Sequence, residues 1–280
     1  MGALLDPFSA PYLQRALLAV VPLAVAGGLF GAWIVLRRLA FFTHAVGSAT
    51  FPGLVVAGPA GIAPPLAALG AALLYAGAVA RLLRDRRLAP DAATGLLLVA
   101  ALAIGSVLAG DVFHSGAGVD RLLFGTLLGL TDRDLALAGA VAGLALLATA
   151  VLGRTWLATG FDADAARTLG VPTGLGDWLL LAALALTVVA ALPAVGALLV
   201  STLLVVPSAT ARLVASSVRA LLWGGVALAL VEGVCGLWLA DRANLPPGPA
   251  IAILGGSVFA VVALGRVARD VVAARTEAVL

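Results

Sequence analysis

Apolar runs of about 20 residues recur along almost the whole chain, and few folds are open to a chain with this pattern. Each run is long enough to cross the hydrocarbon core of a bilayer, which is about 30 Å thick and takes about 20 helical residues. Backbone polar groups find no water inside lipid, so runs of this length predict helices. Of the 280 residues, 62% are hydrophobic and 11% are charged, against about a quarter charged in a soluble domain. The sequence therefore predicts an all-α, polytopic helical membrane protein.

The turns between the apolar runs predict eight or nine transmembrane helices in a single transmembrane domain over residues 1–280. The count stays open because the second, sixth and seventh runs are either full or partial spans. Pro193 is expected to reverse the chain and Pro207 to interrupt the seventh run. A shorter apolar piece, residues 122–130, is predicted to be re-entrant or interfacial. The predicted spans are approximately residues 15–36, 39–56, 66–83, 92–109, 135–152, 178–192, 196–214, 221–240 and 250–264.

The arginines indicate how the chain is oriented in the membrane. All 17 basic residues other than histidine are arginine, and the predicted spans place 13 of them on one side and 4 on the other. Loops that stay in the cytoplasm carry the excess of positive charge. We therefore expect a multi-pass protein of the plasma membrane, with the N-terminus outside and the C-terminus in the cytoplasm.

Several classes of function are disfavoured by what the sequence lacks. It has no long basic run and no basic patch mixed with aromatic residues, so no nucleic-acid partner is expected. Cys235 is the single cysteine, which excludes an intramolecular disulfide and a thiolate metal cluster. The N-terminal residues lack a basic region and a cleavage site, so the first span is expected to be retained. No GxxxxGK[ST] phosphate loop is present, so the chain alone is expected not to hydrolyse ATP.

Residues 160–172, GFDADAARTLGVP, form the most polar helix signal in the chain. Asp162 is suited to the N-cap position, and Asp164 adds a carboxylate to the first turn. Arg167 lies near the other end, where Gly170 can adopt the left-handed conformation that ends a helix. The segment predicts one short cytoplasmic helix. On these residues alone, it is either a contact for a soluble partner or an ordinary connection between two spans.

Two places inside the predicted spans carry polar groups that lipid does not tolerate. His44 and Ser48 lie four residues apart in the second span, so a helix presents both on one face. Each is either a functional group or a packing residue of the helix bundle. Glu232 is a lone acid within another apolar run, where it either bonds inside the bundle or serves a transported ion.

Three stretches of this chain resemble the permease subunit of ABC importers for zinc, manganese or iron, and together they cover most of its length. The first is LRRLAFFTHAVGSATFPGLVVA, similar to the second helix of the family with its closing Pro-Gly. The second is the short helix signal described above, similar to the cytoplasmic coupling segment. The third is VGALLVSTLLVVPSATARLVA, followed by the turn LPPGPAIAIL. The three stretches occupy residues 36–57, 160–172 and 195–215, and the turn occupies residues 245–254.

The resemblance implies a permease subunit that works as a homodimer in the bacterial inner membrane. A separate ATPase subunit would hydrolyse ATP, and a metal-binding substrate-binding protein would deliver a divalent metal ion. No permanently bound cofactor is expected, since the metal is cargo. The residues expected to contact the ATPase are Phe161, Asp162, Asp164, Arg167 and Gly170, and the outer loop residues expected to receive the metal are Asp111, His114 and Asp120.

One departure from the family pattern concerns the metal path. Aligned on the Pro-Gly pair, the second helix of the family commonly carries an aspartate and a histidine four residues apart, where this chain has His44 and Ser48. The resemblance thus implies a path with an imidazole but without the carboxylate, which Glu232 is a candidate to supply. Imidazole suits zinc and iron, whereas loss of the hard oxygen ligand argues against manganese. Zinc is therefore the expected cargo, with manganese and iron as alternatives.

Other transport classes compete with this interpretation. A secondary transporter, or an ABC permease for another small solute, would also be a polytopic helical protein, and a channel or a structural membrane protein is a more distant alternative. Secondary transporters typically show inverted repeats and acidic relay residues in mid-span. The sequence shows no clear repeat, and Glu232 is its one mid-span acid. These features favour the ABC permease.

Overall fold

The computed structural model describes residues 11–83, 88–112, 130–195 and 197–277, and every regular element in them is a helix. Apolar composition and a scarcity of internal breakers produce long helices, and most reversals between them lie at prolines, glycines or polar residues. A π-helical turn, Leu108–Val112, continues the fifth helix. The helices are α1 Pro11–Arg37, α2 Ala40–Ser48, α3 Phe51–Ala57, α4 Pro64–Leu82, α5 Pro90–Val107, α6 Asp132–Phe161, α7 Ala163–Thr168, α8 Thr173–Val195, α9 Ala197–Val214, α10 Val218–Ala243 and α11 Pro247–Glu277.

Eight stretches in the described residues are long and apolar enough to cross a membrane, with α2 and α3 together forming one of them. The remaining apolar helix, α9, contributes the shorter stretch Val200–Val214. The prediction of an all-α polytopic membrane protein with eight or nine transmembrane helices and a short additional helix is therefore confirmed. The short helix is α7, which is six residues long.

One expected interruption proved wrong. Pro207 lies inside a continuous α9, and the Leu203 carbonyl that it deprives of a helical donor lies beside Gly27 of α1. Pro193 lies near the end of α8, which continues two residues past it to Val195. The fifth span also extends further than its apolar run, since α6 continues through Arg154 to Phe161. The end of an apolar run marks the edge of the lipid and not the end of the helix.

Helix α1 occupies the centre of one half of the bundle, where it packs against α6, α9 and α10. Gly28 allows a close approach, because a Cβ atom at that position would overlap the backbone of α10 at Val226. A Cβ atom at Gly31 would overlap Ser208 of α9, and the Ser208 hydroxyl donates a hydrogen bond to the Gly28 carbonyl at 3.1 Å. Small residues of this kind let helix backbones touch where no hydrophobic effect drives them together.

Helices α2 to α5 form the other half of the bundle, and α8 contacts both halves. Phe42 of α2 stacks on Tyr75 of α4 with ring centroids 6.0 Å apart. The Tyr75 hydroxyl donates to the Thr94 carbonyl of α5 at 2.7 Å. The second half also has close glycine contacts, because a Cβ atom at Gly53 of α3 would overlap the Ala67 carbonyl of α4.

Charged residues mark the two ends of this bundle. At one end, Arg37 of α1 contacts the last turns of α6 and the start of α8, and we call this the arginine end. At the opposite end, Arg15 of α1 pairs with Asp132 at the start of α6, with 3.2 Å between nitrogen and oxygen. Helices α1 and α6 therefore run parallel, and α7 lies at the arginine end between α6 and α8.

Candidate functional site

Helix α7 is a capped structure at the arginine end. Asp162 is its N-cap, as predicted, and the Asp162 carboxylate accepts hydrogen bonds from the backbone N–H groups of Asp164 and Ala165 at 2.9 Å each. Gly170 has a φ of +77°, the left-handed conformation expected for the residue that closes a helix. Its N–H group donates to the Arg167 carbonyl at 3.0 Å. Side-chain capping thus gives a helix of only six residues a defined conformation.

Apolar side chains at both ends of α7 are exposed. Phe161 is 80% exposed and Leu169 is 81% exposed, whereas Ala166 on the other face is buried. Arg167 and Asp164 form an exposed ion pair at 3.4 Å. Exposed apolar groups and an exposed ion pair thus lie together at the short helix α7. Sequence reasoning named Phe161 but did not name Leu169. The position of Leu169 just after the short helix was the sequence signal that could have identified it.

Arg37 connects the two helices on either side of α7. Its Nη1 atom donates to the Trp156 carbonyl at 3.2 Å and to the Thr159 hydroxyl, both on α6. Its Nη2 atom pairs with the Asp177 carboxylate on α8. The indole N–H of Trp156 adds a buried bond to the Gly176 carbonyl of α8 at 2.9 Å. Sequence reasoning assigned Arg37 only to the membrane boundary and did not identify Asp177.

Two cavities open at the arginine end. One of about 160 Å³ lies beneath Phe161, between α1, α6 and α9. The other, about 370 Å³, has a polar lining that brings Arg167 of α7 and Asp177 of α8 to one space. Residues lining the first are Trp33, Leu36, Arg37, Trp156, Leu157, Gly160, Phe161 and Arg212, and residues lining the second are Ala80, Leu83, Arg167, Thr173, Gly174 and Asp177.

His44 and Ser48 lie one turn apart on α2, and both are half-buried. The Ser48 hydroxyl reaches the backbone carbonyl of His44 at 3.5 Å. Helix α2 ends at Ser48. A turn at Ala49 and Thr50 follows, and α3 begins at Phe51. Because α2 packs against α4, α5, α8 and α9, its polar residues lie within the bundle. The predicted pair thus lies on one helix, one turn apart.

Glu232 occupies a separate place in the bundle. It is 3% exposed, and its Oε1 atom has no hydrogen-bond partner. The carboxylate faces a cavity of about 10 Å³, lined also by Thr202, Leu203, Gly248, Ile251, Ala252 and Gly255. A Cβ atom added to Gly255 would lie 2.8 Å from Oε2, so this glycine makes room for the acid.

The structure does not place His44 and Glu232 in one cavity. Helix α10, which carries Glu232, packs against α1, α9 and α11, whereas α2 packs against α4, α5, α8 and α9, so α9 is the helix that both contact. Among the described residues, no group of three or more His, Cys, Asp or Glu side chains is arranged to hold a metal ion. In the described part of the chain, His44 and Glu232 are therefore not members of such a group.

The predicted outer-loop residues are largely outside the described structure. Asp111 lies in the π-helical turn that ends α5. His114 and Asp120 are outside the described residues, as is residue range 122–129, where a re-entrant piece was expected. Their suggested role stays a prediction from the sequence.

A bundle of long apolar helices with a capped, exposed helix at one end defines a polytopic membrane protein of the transporter class. The chain matches the ABC 3 transport family over residues 9–266, and it belongs to this family. The resemblance found in the sequence is thus confirmed over nearly the whole chain.

Individual relatives agree with this membership. The chain is 29% identical to the manganese transport system membrane protein MntC of Halalkalibacterium halodurans, covering 89% of this chain and 85% of that protein. It is 29% identical to the chelated iron transport system membrane protein YfeD of Yersinia pestis, covering 92% and 86%. Among solved structures, PsaBC from Streptococcus pneumoniae in complex with Fab is similar, with a TM-score of 0.79, 27% identity, and coverage of 93% and 94%.

Proposed function

We propose that the chain is the permease subunit of an ABC importer that carries a divalent transition-metal ion across the plasma membrane. The observation that carries the proposal is α7, a capped helix with Phe161 and Leu169 exposed at the end of a bundle of this family. Two copies form the membrane part, an ATPase subunit hydrolyses ATP, and a metal-binding protein delivers the cargo. The arginine end faces the cytoplasm, in agreement with the excess of arginine there.

The cargo is manganese or iron in the first instance. The relatives described above are named for manganese and for chelated iron, and similarity over most of the chain favours the same group of metals. Zinc was expected from the imidazole of His44 without a neighbouring carboxylate. It has less support, and its uptake is compared with that of manganese and iron in the test below. Oxygen and imidazole ligands are compatible with all three ions.

His44 and Ser48 are the proposed contacts of the metal in the membrane. One chain supplies an imidazole and a hydroxyl on the same helix face, so two copies meeting at this face would supply twice that number. Glu232 is proposed as a second, separate binding position for the ion, because its cavity of about 10 Å³ has room for about one water-sized particle. Asp111, His114 and Asp120 are proposed to receive the ion at the outer surface.

Phe161, Asp162, Asp164, Arg167 and Gly170 are the proposed contacts with the ATPase. Their support is the geometry of α7: Asp162 and Gly170 close its two ends, Asp164 and Arg167 pair on its exposed side, and Phe161 projects from the preceding helix end. Leu169 is added to this set for its exposure.

The proposal is tested with the transporter complex, purified through a tag on this chain from its source cells. We expect an ATPase subunit to copurify, and proteoliposomes containing the complex, ATP and the binding protein to accumulate radioactive Mn²⁺ or Fe²⁺. The separated chain should not hydrolyse ATP, since it has no phosphate loop. Uptake driven by an ion gradient in vesicles that contain only this chain would instead identify a secondary transporter. Faster uptake of Zn²⁺ than of Mn²⁺ and Fe²⁺ would restore zinc as the cargo.

A further inference from the structure

Arg37 is the last residue of α1, and it holds both helices that flank α7. Its guanidinium bonds to Trp156 and Thr159 in the last two turns of α6, and it pairs with Asp177 in the second turn of α8. Only a few residues separate α7 from either helix. One side chain thus fixes the two attachment points of α7 relative to α1.

The contact is built into the fold and is not a loose surface pair. The side chain of Arg37 is 15% exposed and that of Asp177 is 36% exposed, so solvent screens the pair less than it screens an exposed one. The planar guanidinium presents five N–H donors in a fixed fork, which lets it serve acceptors on two helices. A Cβ atom at Gly160 would lie 3.0 Å from the Arg37 Cδ atom, so the glycine makes room for the arginine stem.

Helix α1 leads from this contact into the rest of the bundle. The Trp33 indole of α1 donates to the Thr149 hydroxyl of α6 at 3.2 Å, and its ring meets Trp156 edge-on at 5.5 Å. Two and five residues before Trp33, Gly31 and Gly28 bring α1 against α9 and α10. Helix α9 in turn packs against α2, which carries His44. A rigid displacement of α7 can therefore reach the helices of the metal path through α1.

We infer that Arg37 and Asp177 form the joint through which movement of α7 is transmitted to α1. The inference rests on the proposed function, in which α7 is moved by the ATPase. Arg37 is a positioning residue, because it contacts neither the cargo nor the nucleotide. Breaking the joint leaves α7 able to follow the ATPase, while α1 no longer follows α7.

The test uses the transporter complex in proteoliposomes and measures metal ions taken up per ATP hydrolysed. Arg37→Gln and Asp177→Asn should each lower this ratio about tenfold, a typical size for a coupling between two sites, while ATP hydrolysis continues. The exchange Arg37→Asp with Asp177→Arg should recover part of the ratio. Arg38→Gln is the matched control, since Arg38 is the next residue and is exposed, and it should behave as the wild type.

The outcomes separate the joint from a general role in stability. A residue that only stabilised the fold would lower uptake and hydrolysis together and leave their ratio unchanged, and that result would overturn the inference. Failure of both Arg37→Gln and Asp177→Asn to assemble with the ATPase would also overturn it, because the pair would then be needed for folding. Asp177→Asn keeps the size of the side chain and so guards against a simple packing defect. A wild-type complex without ATP-driven uptake would refute the proposed function, whereas fully coupled variants would refute only the joint.

Discussion

The polar residues proposed for the metal path lie at two separate places in the bundle. His44 and Ser48 share a face of α2, while Glu232 is buried among α9, α10 and α11. Because intramembrane polar groups are costly, each requires a partner or a purpose. Ser48 already satisfies its hydroxyl weakly on its own helix at 3.5 Å, so this serine is not needed to hold two helices together. The role of α2 in transport can therefore be tested with small substitutions.

Replacing His44 or Ser48 with alanine should reduce metal uptake without reducing the amount of complex in the membrane. We expect a loss of about tenfold or more for His44→Ala and a smaller one for Ser48→Ala, in the range found for groups around metal sites. Ser257→Ala is a matched control for Ser48, because the Ser257 hydroxyl also bonds to the carbonyl four residues before it, at 2.8 Å, on the exposed side of α11. Radiometal uptake per complex gives the answer. Full activity in His44→Ala would mean that the path avoids this face of α2.

Among the elements, α7 depends most on local chemistry. A six-residue helix has few internal hydrogen bonds, and isolated helices of this length are unstable. Its stability therefore comes from the Asp162 cap, the left-handed Gly170 and the two helices to which it is attached.

Asp162→Ala should loosen α7 by about 1 kcal/mol, the usual cost of losing an N-cap, and should lower the uptake per ATP. Asp164→Ala is the comparison, because it removes a carboxylate from the same turn but leaves the cap in place. Hydrogen exchange of the backbone amides over residues 163–168 measures the loosening directly. Equal exchange in the two variants would show that the cap is not what orders α7.

Elements formed by interactions between neighbouring residues could be predicted from the sequence, whereas contacts between residues far apart in the sequence could not. The apolar runs and the motif Asp162 to Gly170 are local signals, so the helices and the capped α7 could be predicted from sequence. The joint at Arg37 could not, because its bonds reach residues 119 to 140 positions away. The continuity of α9 through Pro207 was also missed.

The whole molecule is held together by backbone contacts between helices of distant sequence. Gly28→Ala should separate α1 from α10, because the added methyl group would overlap the backbone at Gly225 and Val226. We expect a loss of about 2 kcal/mol, typical of overpacking. Gly143→Ala on α6 is the control, since nothing lies within 4 Å of a Cβ atom there. The thermal unfolding midpoint of the purified complex should fall for Gly28→Ala and not for Gly143→Ala. Equal midpoints would show that α1 and α10 accommodate the added methyl group without loss of stability.

The central place of α1 also fixes an order of events during synthesis. This helix is synthesised well before several of its partners: the Ser208 hydroxyl that bonds to Gly28 follows 180 residues later, and Asp177 follows Arg37 by 140. Through most of translation, the glycine face of α1 meets lipid or the insertion machinery instead of α9 and α10. Its mean hydropathy of 2.2 is high enough for entry into the membrane alone, although 72% of its spanning window is finally buried in protein. Helix α1 thus waits for the last third of the chain before it reaches α9 and α10, two of its native neighbours.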